Sequence, residues 1–242
     1  YLETHAGAGI YDLTGIPAQK TQEFSQGIGK FMGAADRLPP LPTVSRYLAA
    51  VKKAGYPTHY PGSPWLMQEW MRSADSLILI EKHPETLQIL KTCFKSDKRI
   101  AIHARDAYEG LSALLPLKQG RGLIFIDPAY EVPDEWARLV TAVEKAAARY
   151  AQGVFVIWYP IKAGSNWEKE TARLRARLPA SIEGLVVNLS VLSTDVRQGL
   201  IGGGMIVLNP PWQLKEHIAT WLEPVWQVLS HQGQGNFSVF DM

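Results

Sequence analysis

The chain contains 242 residues, of which 46% are hydrophobic and 20% are charged, a length and composition that fit a single α/β core. The formal net charge is only +2 at pH 7, so nucleic-acid binding would need a local basic patch rather than bulk charge. A single cysteine, Cys93, excludes an intrachain disulfide and a cysteine-rich zinc site.

Short apolar runs alternate with helix-like segments along most of the chain. Runs rich in β-branched residues predict strands at about 1–4, 76–81, 98–103, 122–127, 153–159, 184–192 and 203–209. Periodic segments rich in Ala, Leu and charged residues predict helices at about 84–95, 107–115, 133–151, 165–178 and 212–230. Strands that alternate with helices predict a doubly wound, mostly parallel sheet within a single domain over 1–242.

A long segment separates the first two predicted strands and predicts an inserted helical subdomain at 14–68. No Asp or Glu occurs from residue 37 to residue 68, whereas Arg46, Lys52 and Lys53 are interleaved with tyrosines. Cations bind phosphates and aromatic faces stack on bases, so this subdomain is a candidate RNA-binding surface. The alternative is a solvated helical hairpin whose tyrosines pack on the main sheet.

Glycines and carboxylates follow the first three strands, whose carboxyl ends should share one ligand-binding edge. Gly7 and Gly9 permit positive φ angles and close approach of a ligand, although many turns are similarly rich in glycine. Glu81 ends the second strand, where a carboxylate can accept both hydroxyls of a ribose; the alternative is a solvated residue. Asp106 follows the third strand, either as a helix N-cap or as a ligand to an adenine amine, and both roles can coexist.

The fourth strand ends in the motif DPAY at 127–130, which carries the strongest chemical signal. An adenine amine is a poor nucleophile because its lone pair is delocalised into the ring. The carboxylate of Asp127 and the carbonyl of Pro128 can each accept one amine hydrogen and orient the nitrogen. Tyr130 offers an aromatic face on which an extruded base can stack. The alternative is an ordinary turn after a buried strand.

These features, taken in order, resemble the Rossmann-like amino-methyltransferases. More closely, the segments YLETHAGAG, YPGSP, GLIFIDPAY, WYP and GMIVLNPPW resemble the RlmJ-type family of 23S ribosomal RNA adenine-N6 methyltransferases, over nearly the whole chain. The resemblance implies S-adenosylmethionine as cofactor, ribosomal RNA as partner, no metal, and a seven-stranded sheet whose last strand is antiparallel. No apolar run reaches the roughly 18 residues of a membrane span, so we expect a cytoplasmic protein. We also expect it to be a monomer.

The resemblance also assigns individual residues. Asp127 matches the catalytic aspartate beside the methyl group and the target amine, and Glu81 and Asp106 match residues on the ribose and near the adenine of the cofactor. Two departures stand out: Ala129 replaces a second proline, and the basic N-terminal segment of the family is absent before Tyr1, so we expect that a segment is missing there. The positions that match contacts to S-adenosylmethionine are His5, Ser63, Glu81, Asp106, Ala107 and Asp127, to which we add Gly7 and Gly9.

A rival motif, NPPW at 209–212, fits the general amino-methyltransferase pattern in spelling, but it follows the last strand and is explained by a strand end and a helix start. The histidines show no metal-ligand spacing. Three other functions stay open: a DNA adenine methyltransferase, a small-molecule or protein amino-methyltransferase, and a non-catalytic nucleic-acid-binding protein involved in the use of external DNA.

Overall fold

The computed structural model describes residues 1–118, 120–193, 195 and 199–242, and a large sheet lies at the centre of the molecule. The strands are β1 (Leu2–Glu3), β2 (Ile10–Asp12), β3 (His59–Pro61), β4 (Leu77–Ile80), β5 (Ile100–His103), β6 (Leu123–Ile126), β7 (Val154–Lys162), β8 (Gly184–Ser190), β9 (Leu200–Leu208) and β10 (Phe237–Asp241). The α-helices are α1 (Ile16–Thr21), α2 (Lys30–Gly33), α3 (Pro42–Lys53), α4 (Ser63–Trp70), α5 (Pro84–Phe94), α6 (Ala107–Leu114), α7 (Glu135–Arg149), α8 (Trp167–Arg177) and α9 (Leu214–Leu229). A π-helical turn at Ser25–Gly29 and a 3-10 turn at Ala35–Arg37 flank α2.

The main sheet has the strand order β10-β8-β9-β7-β6-β1-β4-β5, and β2 and β3 form a separate hairpin. Strands β5, β4, β1, β6 and β7 are parallel neighbours, whereas β9 runs antiparallel to both β7 and β8. This arrangement confirms the mostly parallel α/β sheet with an antiparallel last strand among the seven predicted ones.

The predicted count of seven strands is wrong, because the sheet contains eight. The additional strand β10 pairs antiparallel with the edge strand β8, with Phe237 opposite Leu189 and Asp241 opposite Leu185. Its five residues follow the glycine-containing stretch HQGQGN and offer too short a pattern to predict a strand alone. Phe237 and Val239 become strand residues because they pack on the side of the sheet that α9 covers.

The antiparallel strand β9 begins at Leu200, three residues before the predicted start, and contains Gly202, Gly203 and Gly204. Glycine disfavours strands in general, since it loses the most backbone entropy on ordering. Here a Cβ on Gly204 would overlap the ring of the buried Tyr159, and one on Gly203 would lie 2.8 Å from Nε1 of Trp158. The glycines therefore make room for two aromatic side chains of β7.

The segment 14–68 contains α1 to α3 with the adjoining π and 3-10 turns, followed by β3 and the start of α4. Its apolar residues pack around Phe31 and Leu48, and the same cluster includes Trp221 and Val225 of α9. Whether the segment is a subdomain in its own right stays a prediction.

Candidate active site

The predicted site residues follow the carboxyl ends of four adjacent parallel strands. Residue Glu3 at the end of β1 is aligned with Leu79 of β4 on one side and with Phe125 of β6 on the other. Ile80 of β4 is in turn aligned with His103 of β5. The loops after β1, β4, β5 and β6 therefore leave the sheet at one edge, where an open α/β sheet binds its ligands.

The glycine loop after β1 has the predicted positive φ angles, +61° at Gly7 and +81° at Gly9. The N–H of Gly7 donates a 3.0 Å hydrogen bond to Oε2 of Glu81, which ties the loop to the end of β4. A Cβ on Gly7 would overlap the hydroxyl of Tyr11, so the absence of a side chain there also admits Tyr11 from the hairpin β2-β3.

Glu81 uses both carboxylate oxygens in backbone hydrogen bonds. Oε2 accepts from Gly7, and Oε1 accepts a 2.7 Å bond from the N–H of His83. An ionised carboxylate has about four acceptor positions, so two remain for other donors. The half-buried Glu81 is thus oriented by its backbone bonds and still able to accept a pair of ribose hydroxyls.

Asp106 is the N-cap of α6 and accepts hydrogen bonds from the N–H groups of Tyr108 at 3.0 Å and Glu109 at 3.4 Å. Its other oxygen lies 3.2 Å from Nζ of Lys82 and 3.4 Å from the guanidinium of Arg138. Partial burial acts to raise the pKa of this carboxyl, but the hydrogen bonds from Lys82 and from the helix N–H groups outweigh it and lower the pKa.

Ala107 is buried at the first position of α6, directly after the Asp106 cap. Its N–H donates to no residue in the described part of the chain. The first N–H groups of a helix have no partner within the helix. Asp106 and Ala107 together therefore present an acceptor and a donor side by side, as an adenine edge requires.

His5 and Ser63 complete the set of predicted cofactor residues. Nδ1 of His5 lies 2.8 Å from the hydroxyl of Thr4, and the His5 ring meets Tyr108 edge-on at 5.9 Å between centroids. Burial lowers the pKa of His5 to about 4, so the imidazole is neutral at pH 7. Ser63 begins α4.

Glu3, which the sequence analysis did not single out, contacts the predicted cofactor residue Ser63. The completely buried carboxyl accepts a 2.8 Å hydrogen bond from the hydroxyl of Tyr1 and a second one from the hydroxyl of Ser63. Burial raises the pKa of Glu3 to about 8, and the nearby charge of Asp127 adds to this effect. The available signal was a carboxylate inside an apolar strand, directly before the glycine loop.

Asp127 is half-buried at the end of β6, and burial raises its pKa to about 6. Its carboxyl accepts no hydrogen bond from any residue within the described ranges. Pro128 is buried and Ala129 is exposed, so the alanine that replaces a second proline points away from the packed part of the turn. Asp127 therefore has all its acceptor positions open toward the described residues, whereas Glu81 has two of them occupied.

Tyr130 follows in a left-handed conformation, with φ of +53°. Its hydroxyl donates a 2.9 Å hydrogen bond to the backbone carbonyl of Trp158. Its ring lies between Trp136, at 5.4 Å between centroids, and Trp158, at 6.0 Å. The tyrosine is thus held in an aromatic cluster, and its role as a stacking surface for a base stays a prediction.

The predicted nucleic-acid residues are exposed on α3. The guanidinium of Arg46 lies 5.2 Å from the ring centroid of Trp70, and Lys53 forms a 2.7 Å ion pair with Glu69. Lys52 forms no ion pair or side-chain hydrogen bond with any of the described residues. The interleaved tyrosines face inward instead: Tyr47 and Tyr60 share a 2.7 Å hydrogen bond between their hydroxyls.

The packing of these tyrosines matches the alternative expectation in part. They belong to the cluster that includes Trp221 of α9, rather than covering the main sheet directly. Arg46 and Lys52 of α3 are therefore exposed without an ion pair, whereas the tyrosines beside them are not an open stacking surface.

The rival motif at 209–212 lies at the opposite edge of the sheet. Leu208, which precedes it, is aligned with Phe155 and Gly184 near the starts of β7 and β8. The side-chain amide of Asn209 donates 2.8 Å hydrogen bonds to the carbonyls of Ala151 and Gly153. This position and these bonds give Asn209 a structural role and leave Asp127 as the candidate catalytic residue.

No group of three or more His, Cys, Asp and Glu side chains in the described part of the chain is arranged to hold a metal ion. Among the helices formed by those residues, none combines the length and apolar character needed to cross a membrane.

Comparison with known proteins decides the family. A family model described as "RsmJ: Ribosomal RNA large subunit methyltransferase D, RlmJ" matches residues 1–240. The chain belongs to this family. Two relatives named "Ribosomal RNA large subunit methyltransferase J", from Haemophilus influenzae and Escherichia coli, are 34% and 33% identical to it. Each match covers 99% of this chain and 85% of the relative.

A solved structure shares the fold of this RlmJ-family chain. The crystal structure of protein LPL1258 from Legionella pneumophila superposes with a TM-score of 0.85 at 29% identity, covering 100% of this chain and 87% of that one. Family membership confirms the resemblance drawn from the five sequence segments. The roles of the individual site residues stay predictions.

Proposed function

We propose that this chain transfers a methyl group from S-adenosylmethionine to the exocyclic N6 amine of an adenine in 23S ribosomal RNA. Family membership and the names of the two relatives support the reaction class and the ribosomal substrate. The observation that carries the chemistry is Asp127, a half-buried carboxyl with open acceptor positions at the ligand-binding edge of the sheet. We place the reaction in the cytoplasm, on naked ribosomal RNA or on an assembly particle.

The residues at this edge fit the proposed cofactor. Glu81 retains two acceptor positions for the ribose hydroxyls, and Asp106 with the N–H of Ala107 can bind the adenine edge. His5 and Ser63 lie on the loops that flank them, and His5 is neutral at pH 7. S-adenosylmethionine, when bound, supplies an electrophilic methyl group.

Asp127 and Pro128 act on the target amine. An ionised Asp127 carboxylate accepts one amine hydrogen and the backbone carbonyl of Pro128 accepts the other, which raises electron density on the nitrogen and fixes its direction. As the nitrogen forms its bond to the methyl carbon, the carbon–sulfur bond of the methyl donor would break to leave the neutral thioether, and one of the two amine protons leaves to water. Since burial raises the pKa of Asp127 to about 6, the carboxylate is the main form at pH 7.5.

The insertion at 14–68 is the proposed RNA-binding surface, with the cations of α3 as phosphate contacts. Arg46 and Lys52 are available for this role, whereas Lys53 is already paired with Glu69. Phosphate contacts of this kind position a nucleic acid without reading its sequence. We therefore expect this surface to contribute to RNA affinity, and the residues around Asp127 to select the target base.

One assay on matched substrates tests the proposal. Full-length 23S ribosomal RNA transcript and DNA of the same sequence are incubated with labelled S-adenosylmethionine, and N6-methyladenosine is quantified by mass spectrometry. We expect methylation of the RNA, and a loss of at least about 100-fold in Asp127→Ala. Asn209→Ala serves as the control at the opposite edge of the sheet.

The other outcomes identify the alternative functions. Preferential methylation of DNA would indicate a DNA adenine methyltransferase. Tight RNA binding without methylation by the wild-type protein would indicate a non-catalytic nucleic-acid-binding protein. Methylation that survives Asp127→Ala would show that the catalytic residue lies elsewhere.

A further inference from the structure

Trp158 lies next to Asp127 on the neighbouring strand. Ile126 of β6 is aligned with Ile157 of β7, so Asp127 and Trp158 follow at the same level of the sheet. We propose that Trp158 is a further substrate-positioning residue, whose indole ring stacks on the target adenine while Asp127 holds the amine. This inference rests on the proposed function and concerns the substrate side of the same site.

The alternation of β7 places Trp158 on the face of the sheet that α9 covers, opposite α7 and α8. Phe155, Ile157 and Tyr159 are completely buried on one face, beneath α7 and α8. Trp158 points to the opposite face and stays half-buried. Side chains alternate between faces along a strand, so Trp158 is the residue of this stretch that retains accessible aromatic surface at the catalytic edge.

The surroundings of the indole suit a flat aromatic ligand. Gly203 of β9 packs closely against the edge of the indole and fixes its position, because a Cβ there would lie 2.8 Å from Nε1. Trp158 also lines one end of an apolar cavity of about 610 Å³, together with Leu189, Met205 and Trp221. Stacking of a base on an aromatic ring is strongest where neighbouring surface is apolar and water is excluded.

The indole N–H is an open donor. It forms no hydrogen bond with any residue in the ranges that the structure describes, and Nε1 is not among the fully buried unpaired atoms. Trp226, by contrast, donates its N–H to the carbonyl of Ser190 at 3.0 Å. Adenine carries ring nitrogens that accept hydrogen bonds, so Trp158 offers both a stacking face and a donor to such a base.

Tyr130 is less free to stack than Trp158, although it follows Asp127 directly in sequence. Its hydroxyl is bonded to the carbonyl of Trp158, and its ring meets Trp136 and Trp158. That hydrogen bond fixes the DPAY turn relative to Trp158. The acceptor at Asp127 and the proposed stacking ring at Trp158 are therefore held at a constant separation.

The test compares Trp158→Leu, Trp158→Phe and the control Trp212→Leu in the complete chain. Trp212 is 85% exposed at the opposite edge of the sheet, so its replacement removes an indole without touching the site. Methylation of 23S ribosomal RNA transcript is measured at saturating S-adenosylmethionine, with cofactor affinity by calorimetry and thermal stability on the same proteins.

We expect Trp158→Leu to lower kcat/KM for RNA by roughly 5- to 150-fold, the effect of losing one base–aromatic stack. Trp158→Phe keeps an aromatic face and should stay within about fivefold of the wild type, a rescue that a volume effect alone does not give. Cofactor affinity and the activity of Trp212→Leu should be unchanged. If Trp158→Leu is too unstable to assay, Trp158→Met replaces it as a flexible apolar filler without a ring.

The inference is overturned if the leucine or methionine variant methylates RNA at the wild-type rate. It is also overturned if the leucine and phenylalanine variants lose activity equally and in parallel with cofactor affinity, since that pattern indicates a packing role. A wild-type protein that does not methylate RNA in this assay contradicts the proposed function instead. The two failures are thus distinguished by the wild-type measurement alone.

Discussion

The carboxylate of Glu81 accepts a 3.0 Å hydrogen bond from the backbone N–H of Gly7. This bond joins the end of β4 to the glycine loop after β1, so Glu81 both orients that loop and faces the proposed ribose position. We expect Glu81→Ala to weaken S-adenosylmethionine binding by about 1–3 kcal/mol, because ribose hydroxyls lose their acceptor and the Gly7 N–H loses its partner. Calorimetry measures the change.

Glu81→Gln separates these two contributions. The glutamine keeps one carbonyl oxygen for Gly7 but lacks the second acceptor, so its affinity should fall between those of the wild type and Glu81→Ala. Equal affinity in the wild type and Glu81→Ala would sink the assignment of Glu81 to the ribose.

Asn209→Ala should destabilise the protein without impairing chemistry. The Asn209 amide bonds two carbonyls of the turn before β7, and its φ of +51° is one that asparagine tolerates better than alanine. We expect a loss of about 1–2 kcal/mol in the free energy of unfolding, measured by urea denaturation. Single-turnover methylation at a temperature where the variant is folded should match the wild type. A loss of turnover at unchanged stability would mean that the motif at 209–212 is catalytic and that the assignment of Asp127 is wrong.

The rate of methyl transfer should depend on the ionisation of Asp127. Burial raises the pKa of this carboxyl to about 6, so it becomes protonated as the pH falls below 6 and then loses an acceptor for the amine. We expect single-turnover rates to be flat above about pH 7 and to fall about tenfold per pH unit below pH 6. Rates that stay constant from pH 5 to pH 8 would contradict a role for the Asp127 carboxylate.

The stability of the protein should decrease as the buried Glu3 is forced to ionise. Its pKa is about 8 in the folded protein and 4.5 in the reference state, so between these values the folded state holds a proton that the unfolded state releases. Stability is therefore lost as the pH rises through this window, by at most about 1.4 kcal/mol per pH unit from this group.

Glu3→Gln isolates this effect, because the amide fills the same space and does not titrate. Urea denaturation at pH 5.5, 6.5 and 7.5 should show the variant gaining stability relative to the wild type as the pH rises. Parallel stability curves for the two proteins would mean that Glu3 is ionised in the fold across this range.

The sequence predicted that the candidate site residues follow strands that end at one edge of the sheet, because strand topology determines this edge. Asp127 and Glu81 end buried apolar strands, and the ends of parallel neighbours must meet at one edge whatever the loops do. The same local patterns predicted five of the helices and seven of the eight main-sheet strands. Residue type and position along a strand were sufficient for these features.

Features that depend on distant partners were not predictable from local patterns. Glu3 is completed by Ser63, which lies 60 positions away, and nothing in the strand YLET indicates that contact. The tyrosines of the insertion pack near Trp221 because α9 returns to that segment late in the chain. Likewise, the motif at 127–130 revealed an aromatic residue but not that Trp158 and Trp136 flank it.

The role of Tyr130 can be divided into stacking, packing and backbone strain with three variants. Tyr130→Phe keeps the ring and loses the hydrogen bond to the Trp158 carbonyl, so we expect about 1 kcal/mol of lost stability and most of the activity retained. Tyr130→Ala removes the ring between Trp136 and Trp158; we expect lower thermal stability and, if a base stacks here, a further loss of roughly 5- to 150-fold in kcat/KM.

Tyr130→Gly is the matched control for the backbone. At φ of +53° glycine is unstrained whereas alanine is not, so Tyr130→Gly should be more stable than Tyr130→Ala by about 1 kcal/mol while lacking the same ring. A loss of activity that both variants share is then caused by the missing ring and not by strain in the turn. Cofactor affinity should stay close to the wild-type value in all three variants if the ring faces the base; a parallel loss of cofactor affinity and melting temperature indicates packing alone. Wild-type methyl transfer by folded Tyr130→Gly would remove the stacking role of Tyr130 and leave Trp158 as the aromatic residue to test.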